Sequence, residues 1–246
     1  MNEQAEAVPV PPWRTPRKTP AARRPLSQDA IVDAGLRVLD AEGLDALSMR
    51  RVAQELGTGP ASLYAHVANK DELLDLLYDR VLGEVETPEA DPERWLEQMR
   101  ELAVHIFDVL GAHADIAKVA IANIPSGPNA LRVAEAEMAI MIKGGVPPRI
   151  ASWMLDRLNL YIAADVYEGA LYQARRRASG KDIGDFMHDY FAQIGDYYRT
   201  LPKDRFPMMA GHVDDLLEGG GNVRFEFGLD LLLSGLARFA GPRPEA

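Results

Sequence analysis

Three side chains between residues 64 and 70 are suited to contacting phosphate groups rather than to catalysis. Tyr64 supplies a hydroxyl, His66 an imidazole and Lys70 an ammonium group. Lys70 directly follows Asn69, a residue type that begins helices, so its charge lies at a helix N-terminus, which itself favours an anion. A tyrosine or a histidine in a small helix can equally be a packing residue, and both interpretations stay open at this point.

A helix-turn-helix is the element that would position these side chains. Ser27 caps a first predicted helix and Gly43 ends it, and Ser48 caps a second that Gly57 ends. A third, short helix opens at Pro60, because proline fits the first helical turn. The second and third helices are joined by about three residues, which is the spacing of a helix-turn-helix.

The predicted third helix has an apolar side and a side with little bulk. Leu63 and Val67 face inward and anchor it. The residues of the other side are small enough for the backbone to approach a base pair, and they are Gly59, Ala61, Ser62 and Ala65. A short helical turn with a glycine is also common in helical proteins, so the spacing alone leaves DNA binding and plain packing as alternatives.

The charge of the chain is unevenly distributed. The 246 residues carry a net charge of −10. Residues 13–70 nevertheless have three more basic than acidic side chains, whereas residues 71–246 have eleven more acidic than basic ones. This asymmetry suits a DNA-contacting head on an acidic body.

Composition excludes several classes of protein. Without a cysteine, the chain has no disulfide framework, no cysteine-based metal site and no cysteine nucleophile. No apolar run approaches the length of a membrane span, and the N-terminus has no apolar stretch of the signal-peptide type. We therefore expect a cytoplasmic protein that does not contact a membrane.

Catalytic motifs are equally absent from the sequence. His105, His113 and Asp115 fit no metal-ligand spacing, and the glycine-rich stretch 218–222 lacks the Lys-Ser/Thr of a phosphate-binding loop. No G-x-S-x-G nucleophile elbow occurs. We expect no enzyme activity, no metal and no cofactor. The alternative is a protein-interaction module, or an enzyme on a helical scaffold, without DNA binding, and a salt-dependent DNA shift separates it from a DNA-binding protein.

The sequence from Leu26 to Val81 resembles the N-terminal pattern of the TetR family of bacterial transcriptional regulators. The stretches that carry the resemblance are GLDALSMRRVAQELG and SLYAHVANKDELL. Residues 113–125 (HADIAKVAIANIP) and 225–236 (FEFGLDLLLSGL) resemble the C-terminal domain of TetR proper. The resemblance implies an all-α homodimeric repressor whose body binds a small molecule and then releases a near-palindromic operator in double-stranded DNA.

The family's DNA contacts, carried over by position, fall on the head. Arg50 is implied to reach a guanine edge, whereas Tyr64, His66 and Lys70 are implied to hold phosphates. The complete implied set is Ser48, Arg50, Thr58, Gly59, Pro60, Ala61, Ser62, Tyr64, His66 and Lys70.

The last helix is apolar on more than one side, so it must be buried on more than one side. Its apolar residues repeat with alternating spacings of four and three, and a second stripe lies on the long segment 148–177. A central core helix in a monomer and a four-helix bundle between two protomers both explain this, and the resemblance favours the bundle. The residues predicted at the dimer interface are Leu158, Ile162, Val166, Phe225, Leu229, Leu232 and Leu236.

Methionine and aromatic residues concentrate between residues 92 and 154, where a pocket among helices is expected. Each of these residues alone is as well explained as plain core. The predicted ligand-binding residues are Met99, Leu102, His105, Ile106, Asn123, Asn129, Val133, Met141, Trp153 and Met154.

One departure from TetR proper concerns the metal. Where the resemblance implies a histidine that ligates the magnesium of a drug–metal chelate, this chain has Ala120, and a further contacting histidine is replaced by Glu86. We therefore expect a metal-free, mostly apolar ligand, such as a planar aromatic molecule.

The predicted organisation has three parts. Residues 1–25 form a disordered, basic, proline-rich arm, which is either a solvated tail or a segment that lies on DNA. Residues 26–72 form the three-helix, helix-turn-helix head. Residues 73–240 form the larger helical domain for ligand binding and dimerisation.

Overall fold

The computed structural model describes residues 26–113, 115–121 and 124–241, and in these ranges the chain forms helices and no strand. The predicted all-α fold is thereby confirmed for the described residues, whereas the predicted arm 1–25 lies outside them. The helices are α1 Gln28–Glu42, α2 Met49–Glu55, α3 Pro60–Leu63, α4 Lys70–Leu82, α5 Trp95–Ala112, α6 Ile116–Ala120, α7 Pro128–Lys143, α8 Pro148–Ser179, α9 Ile183–Arg199, α10 Pro207–Gly211, α11 Val213–Leu217 and α12 Gly221–Ala237.

Local capping sets the helix ends in the head. The Ser27 hydroxyl accepts a hydrogen bond from the Ala30 amide, and the Ser48 hydroxyl accepts one from the Arg51 amide at 3.1 Å. Gly57 ends the turn after α2 at a φ of +62°, a conformation that side-chain-bearing residues rarely adopt. These caps leave four residues between α2 and α3, one more than the approximate spacing predicted from the sequence.

The short helix α3 is held by its inward side. Leu63 and Val67 are buried, as predicted, and they join Ile31, Val38 and Val52 in the core that α1 and α2 enclose. Because this core is formed by apolar residues on α1 and α2, the opposite side of α3 is left in solvent.

Helix α4 belongs to the head and to the body at once. It packs against α1 on one side and against α5, α6 and α7 on the other. On the head side, the Arg80 guanidinium lies 3.0 Å from a carboxylate oxygen of Asp29 and 3.2 Å from one of Asp33. The boundary predicted between residues 72 and 73 therefore falls inside a continuous helix.

The body is a bundle in which α5, α7, α8 and α12 enclose one apolar core. The ring of Phe225 on α12 stacks between Phe107 on α5, at a centroid distance of 4.0 Å, and Tyr161 on α8, at 5.5 Å. The Tyr161 hydroxyl donates to the Phe225 carbonyl at 2.8 Å. A Cβ on Gly228 would collide with that hydroxyl, so this glycine permits the close approach of α8 and α12.

The residues predicted for the dimer interface belong largely to the core of a single protomer. Leu158, Ile162, Leu229 and Leu236 are at most 1% exposed within a single protomer, and the rest of the set is buried or half-buried. Closed inside one chain, these side chains have almost no surface to offer a partner. Their contact with a second copy stays a prediction, because α12 has two apolar faces and periodicity does not tell which of them faces its own core.

The remaining helices extend beyond this core. Helices α9, α10 and α11 pack on one another, and α9 also packs on α8, which is 32 residues long. In the parts of the chain that the structure describes, no helix combines the length and the apolar character needed to cross a bilayer.

Candidate functional sites

The outer side of α3 is an exposed surface of small and polar groups. Tyr64 is 53% exposed, and Gly59, Pro60, Ala61 and Ser62 are exposed as well. Neither Gly59, which precedes the helix, nor Pro60 at its first turn has a side chain long enough to keep another molecule away. This surface fits the major groove of DNA, which admits a helix and lets short side chains reach base edges.

The neighbouring residues Arg50 and Arg51 have different roles although both lie on α2. The Arg51 guanidinium donates to the carboxylates of Glu42 and Glu55, at 2.6 and 3.2 Å, and so ties α1 to α2. These hydrogen bonds raise the pKa of Arg51, with Glu42 as the largest cause. Arg50 is exposed and makes no ion pair with any described residue, so its guanidinium is available to an outside acceptor.

The other polar residues of the predicted DNA surface are partly engaged within the head. The Ser48 hydroxyl is the cap of α2, and the Thr58 hydroxyl donates to that of Ser62 at 3.4 Å. His66 is half-buried, and its carbonyl accepts from the Gln28 side chain at 3.2 Å. The predicted contacts by these side chains stay predictions.

The N-terminus of α4 is built to meet an anion. Asn69 accepts a hydrogen bond from the Glu72 amide at 2.8 Å, and the Glu72 carboxylate accepts one from the Ala68 amide. Lys70, the first residue of the helix, is exposed and makes no ion pair with the described residues. A phosphate there would meet both the ammonium and the positive end of the helix dipole.

A cavity of about 300 Å³ lies in the body between α4, α7 and α8. It is more enclosed than three other clefts that the described residues form, and a volume of this size holds a small organic molecule. Its apolar lining includes Leu82, Val133, Leu155 and Leu160.

Three of the polar side chains that line this cavity are at least half-buried, and they come from three different helices. They are Tyr78 on α4, Glu137 on α7 and Asn159 on α8. The Asn159 amide donates to both carboxylate oxygens of Glu137, at 3.1 and 3.2 Å. Burial raises the pKa of Glu137 to about 8, and burial with the nearby Glu137 raises that of Tyr78 to about 12.

Most of the predicted ligand residues lie elsewhere. Val133 lines the cavity, whereas Met99, Leu102, Ile106 and Met141 are buried core residues that do not line it. Large and flexible apolar side chains fill irregular core space as readily as they line a pocket, and this explains the difference.

The predicted polar and aromatic anchors also have other partners. The His105 ring accepts from the Glu86 amide at 3.0 Å, and the Asn129 side chain donates to Asp79 at 3.1 Å. Trp153 is 59% exposed beneath the Arg149 guanidinium. Met154 packs against the core, and Asn123 lies outside the described residues.

Sequence reasoning missed Tyr78, Glu137 and Asn159, although one signal was present. Glu137 lies four residues after Val133 and four before Met141, which places a carboxylate on the buried stripe of α7. A charged residue at a core position marks a functional site more often than a methionine does.

His113 and Asp115, which fit no metal-ligand spacing, make contacts between separate segments of the chain. Nδ1 of His113 lies 3.1 Å from a carboxylate oxygen of Asp40 on α1. The Asp115 carboxylate accepts from the Leu44 amide at 3.2 Å. These contacts join the end of α5 and the start of α6 to the head.

Comparison with known protein families shows which family the chain is related to. Residues 31–77 match the family described as "Bacterial regulatory proteins, tetR family", and residues 87–239 match "Tetracyclin repressor-like, C-terminal domain", which is more than half of the chain. The chain belongs to the TetR family. The resemblance inferred from the head and from the two C-terminal segments is thereby confirmed.

Individual TetR-family relatives cover nearly the whole chain. The HTH-type transcriptional repressor DrrR1 of Streptomyces coeruleorubidus is 32% identical over 91% of this chain and 82% of its own length. The tetracycline repressor protein class G of Vibrio anguillarum is 28% identical over 87% of this chain and 94% of its own length.

Solved structures of similar proteins also cover most of this chain. Apo ActR from Streptomyces coelicolor has a TM-score of 0.78 at 41% identity and covers 89% of this chain and 100% of its own. The ActR complex with actinorhodin has a TM-score of 0.78 at 42% identity, over 89% of this chain and 98% of its own.

The cavity and the TetR-family head are mechanically joined through α4. The Asp79 carboxylate accepts from the amides of Asn129 and Ala130 at 3.0 and 2.9 Å, and so caps the first turn of α7. The Arg132 guanidinium donates to the carbonyls of Leu82 and Val85 at the end of α4. Because α7 forms a wall of the cavity, these hydrogen bonds connect that wall to α4.

The second face of α12 is an apolar surface that the protomer leaves uncovered. Val223, Phe227 and Leu231 follow at intervals of four residues and are 65%, 65% and 59% exposed. Gly235, on the same helix, has no other group within 4 Å of where its Cβ would lie. A row of large apolar side chains in solvent marks an interaction surface, and a second copy of the chain can cover it.

Proposed function

We propose that this TetR-family protein is a cytoplasmic, homodimeric, ligand-responsive regulator of transcription rather than an enzyme. One observation carries the proposal: a single helix, α4, has the exposed DNA-reading surface at its N-terminal end and the enclosed cavity at its C-terminal end. The dimer forms through the Val223–Phe227–Leu231 face and binds a near-palindromic operator, since two-fold protein symmetry requires two related half-sites.

The regulator acts as a repressor that a mostly apolar small molecule releases from DNA. The ligand fills the cavity between α4, α7 and α8, shifts α7, and through Asp79 and Arg132 repositions α4. The two heads then no longer match the operator. Repression is supported by the relative that is named as a repressor. Control by a small molecule is supported by ActR, which has been crystallised with one.

A shift assay with DNA from upstream of the protein's own gene tests this function. We expect tight, sequence-selective binding that weakens steeply as salt is raised, and release by at least one compound of an aromatic small-molecule panel. Selection of bound fragments from the whole genome follows if that region is not bound. If no genomic fragment is selected, the DNA-binding proposal is wrong and a protein-interaction role takes its place.

Arg50→Ala and Lys70→Ala should weaken DNA binding in different ways. Arg50→Ala should cost about 1–3 kcal/mol and relax the preference at one base position, because its guanidinium reads a base edge. Lys70→Ala should weaken binding to all DNA sequences alike. It should also reduce the slope of log affinity against log salt concentration by about 1, which corresponds to the loss of one phosphate contact. Titration of an operator library at several salt concentrations measures both effects.

Lys143→Ala is the control for Lys70→Ala, because it removes a lysine at the far end of α7. It should leave binding unchanged. If Arg50→Ala ranks the operator variants by affinity in the same order as the wild type does, Arg50 does not contact a base.

A further inference from the structure

The buried carboxyl group of Glu137 has no cationic partner among the described residues of the cavity. Glu137 is 1% exposed, and its only hydrogen-bond partner among the described residues is the neutral amide of Asn159. That amide also donates to the Leu155 carbonyl at 2.9 Å, so a single N–H is shared between the two carboxylate oxygens. An ionised carboxylate accepts about four hydrogen bonds, and most of this capacity is unused here.

No described residue that lines the cavity is basic. The other acidic group of the lining is Asp156, which is exposed and paired with Arg157 at 2.5 Å. Tyr78 adds a neutral phenol. Glu137 is therefore the one carboxylate that a ligand in this cavity would meet without a neutralising partner among the described residues.

A ligand can supply what this carboxylate lacks. Burying a carboxyl group without a cationic partner is costly, so a position that is simply part of the core favours an apolar side chain. An anionic ligand would be repelled by Glu137, and a neutral ligand would add at most a hydrogen bond. A protonated amine adds both the missing charge and up to three donors, in a medium where a charge-assisted hydrogen bond is strong.

We propose that Glu137 recognises a positively charged nitrogen, and that the effector is a mostly apolar molecule that carries a protonated amine. This inference rests on the proposed function, in which the cavity is the effector site. Asn159 positions the carboxylate by holding both of its oxygens, and the leucine and valine lining takes up the apolar part of the ligand.

Binding of a protonated amine beside Glu137 should release a proton. Because burial raises the pKa of Glu137 to about 8, the empty cavity holds mostly the neutral acid at pH 7. A cation stabilises the carboxylate, so binding displaces the carboxyl proton to solvent. The ionised fraction of Glu137 grows from about 1% at pH 6 to about half at pH 8, so the affinity for an amine should grow by more than about tenfold over this range.

The test uses three fluorescent probes of one shape and different charge: anthracenylmethylamine, anthracenylmethanol and anthracene carboxylate. Titration into the full-length protein at pH 6, 7 and 8 should give at least about tenfold tighter binding of the amine than of the alcohol at pH 8, with the carboxylate weakest. The amine alone should bind more tightly as pH rises.

Glu137→Gln keeps the shape and the acceptor oxygen but removes the charge. It should abolish both the preference for the amine and the pH dependence. Glu135→Gln is the matched control, because Glu135 is exposed on the same helix and does not line the cavity. It should behave as the wild type, and circular dichroism verifies the fold of both variants.

Equal affinity for amine and alcohol, an unchanged preference in Glu137→Gln, or binding of none of the three probes would each overturn the proposal. Operator release is measured separately in the shift assay. A probe that binds with the expected charge preference but leaves the DNA complex intact contradicts the regulatory function and not the recognition of the amine. Release of DNA by the alcohol as readily as by the amine contradicts the recognition and not the function.

Discussion

Phe227→Glu should convert the dimer into a monomer and lower operator affinity by at least about 100-fold. Phe227 lies at the centre of the exposed apolar row on α12, between Val223 and Leu231. Two-fold symmetry brings the two copies of this helix together, so the substitution places two carboxylates in one apolar interface. Each would be desolvated without a partner, and the loss of the dimer removes the simultaneous binding of two half-sites.

Sedimentation at several protein concentrations measures the first effect, and an operator shift assay measures the second. Leu131→Glu is the control, since it places the same charge on an apolar residue of α7 that is 52% exposed. It should remain dimeric. A Phe227→Glu protein that stays dimeric at micromolar concentration would show that a different surface forms the interface.

Glu137→Gln should make the ligand-free protein more stable, and the gain should depend on pH. The pKa of Glu137 is about 8 in the folded protein, above the usual value of 4.5 that applies in the unfolded chain. Between these two values the folded state holds more protons than the unfolded state, so the free energy of unfolding falls as pH rises. The loss begins near pH 4.5, is complete above pH 8 and is on the order of 5 kcal/mol.

Urea unfolding of the wild type and of Glu137→Gln at pH 5, 7 and 9 measures this difference, at one fixed protein concentration because dimers are stabilised by mass action. The difference between the two proteins should be small at pH 5 and largest at pH 9. Glu135→Gln should follow the wild type at each pH. A difference that does not change with pH would mean that Glu137 titrates as an exposed carboxyl group.

The head could be predicted from the sequence because its geometry is local. Ser48 caps the helix that begins one residue later, and Gly57 is needed at the position where φ becomes positive. Leu63 and Val67 are four residues apart, so they lie on one side of a helical turn. Each of these relations spans a few residues, and a single sequence contains all of it.

The cavity and the dimer surface could not be predicted in the same way. Tyr78, Glu137 and Asn159 come from three helices, and nothing in their spacing shows that they meet. Helix α12 has apolar residues on two faces, and the choice between them depends on which face α5 and α8 cover. The position of the cavity and the exposed face of α12 both depend on packing between segments that are distant in sequence. Hydrophobic periodicity carries no information about such packing.

Because its C-terminal end is hydrogen-bonded to α7, α4 can tilt about that end, which lies at the proposed effector cavity. Asp79 and Arg132 fix its C-terminal end, while Lys70 and the DNA-reading helix are carried at the other end. A helix of this length measures about 20 Å, so a tilt of about 5° displaces the far end by roughly 2 Å. In a two-fold dimer the two displacements add to roughly the rise of one base pair, about 3.4 Å. A rotation small enough to leave the core of the body intact would therefore put the two heads out of step with the helical repeat of the operator.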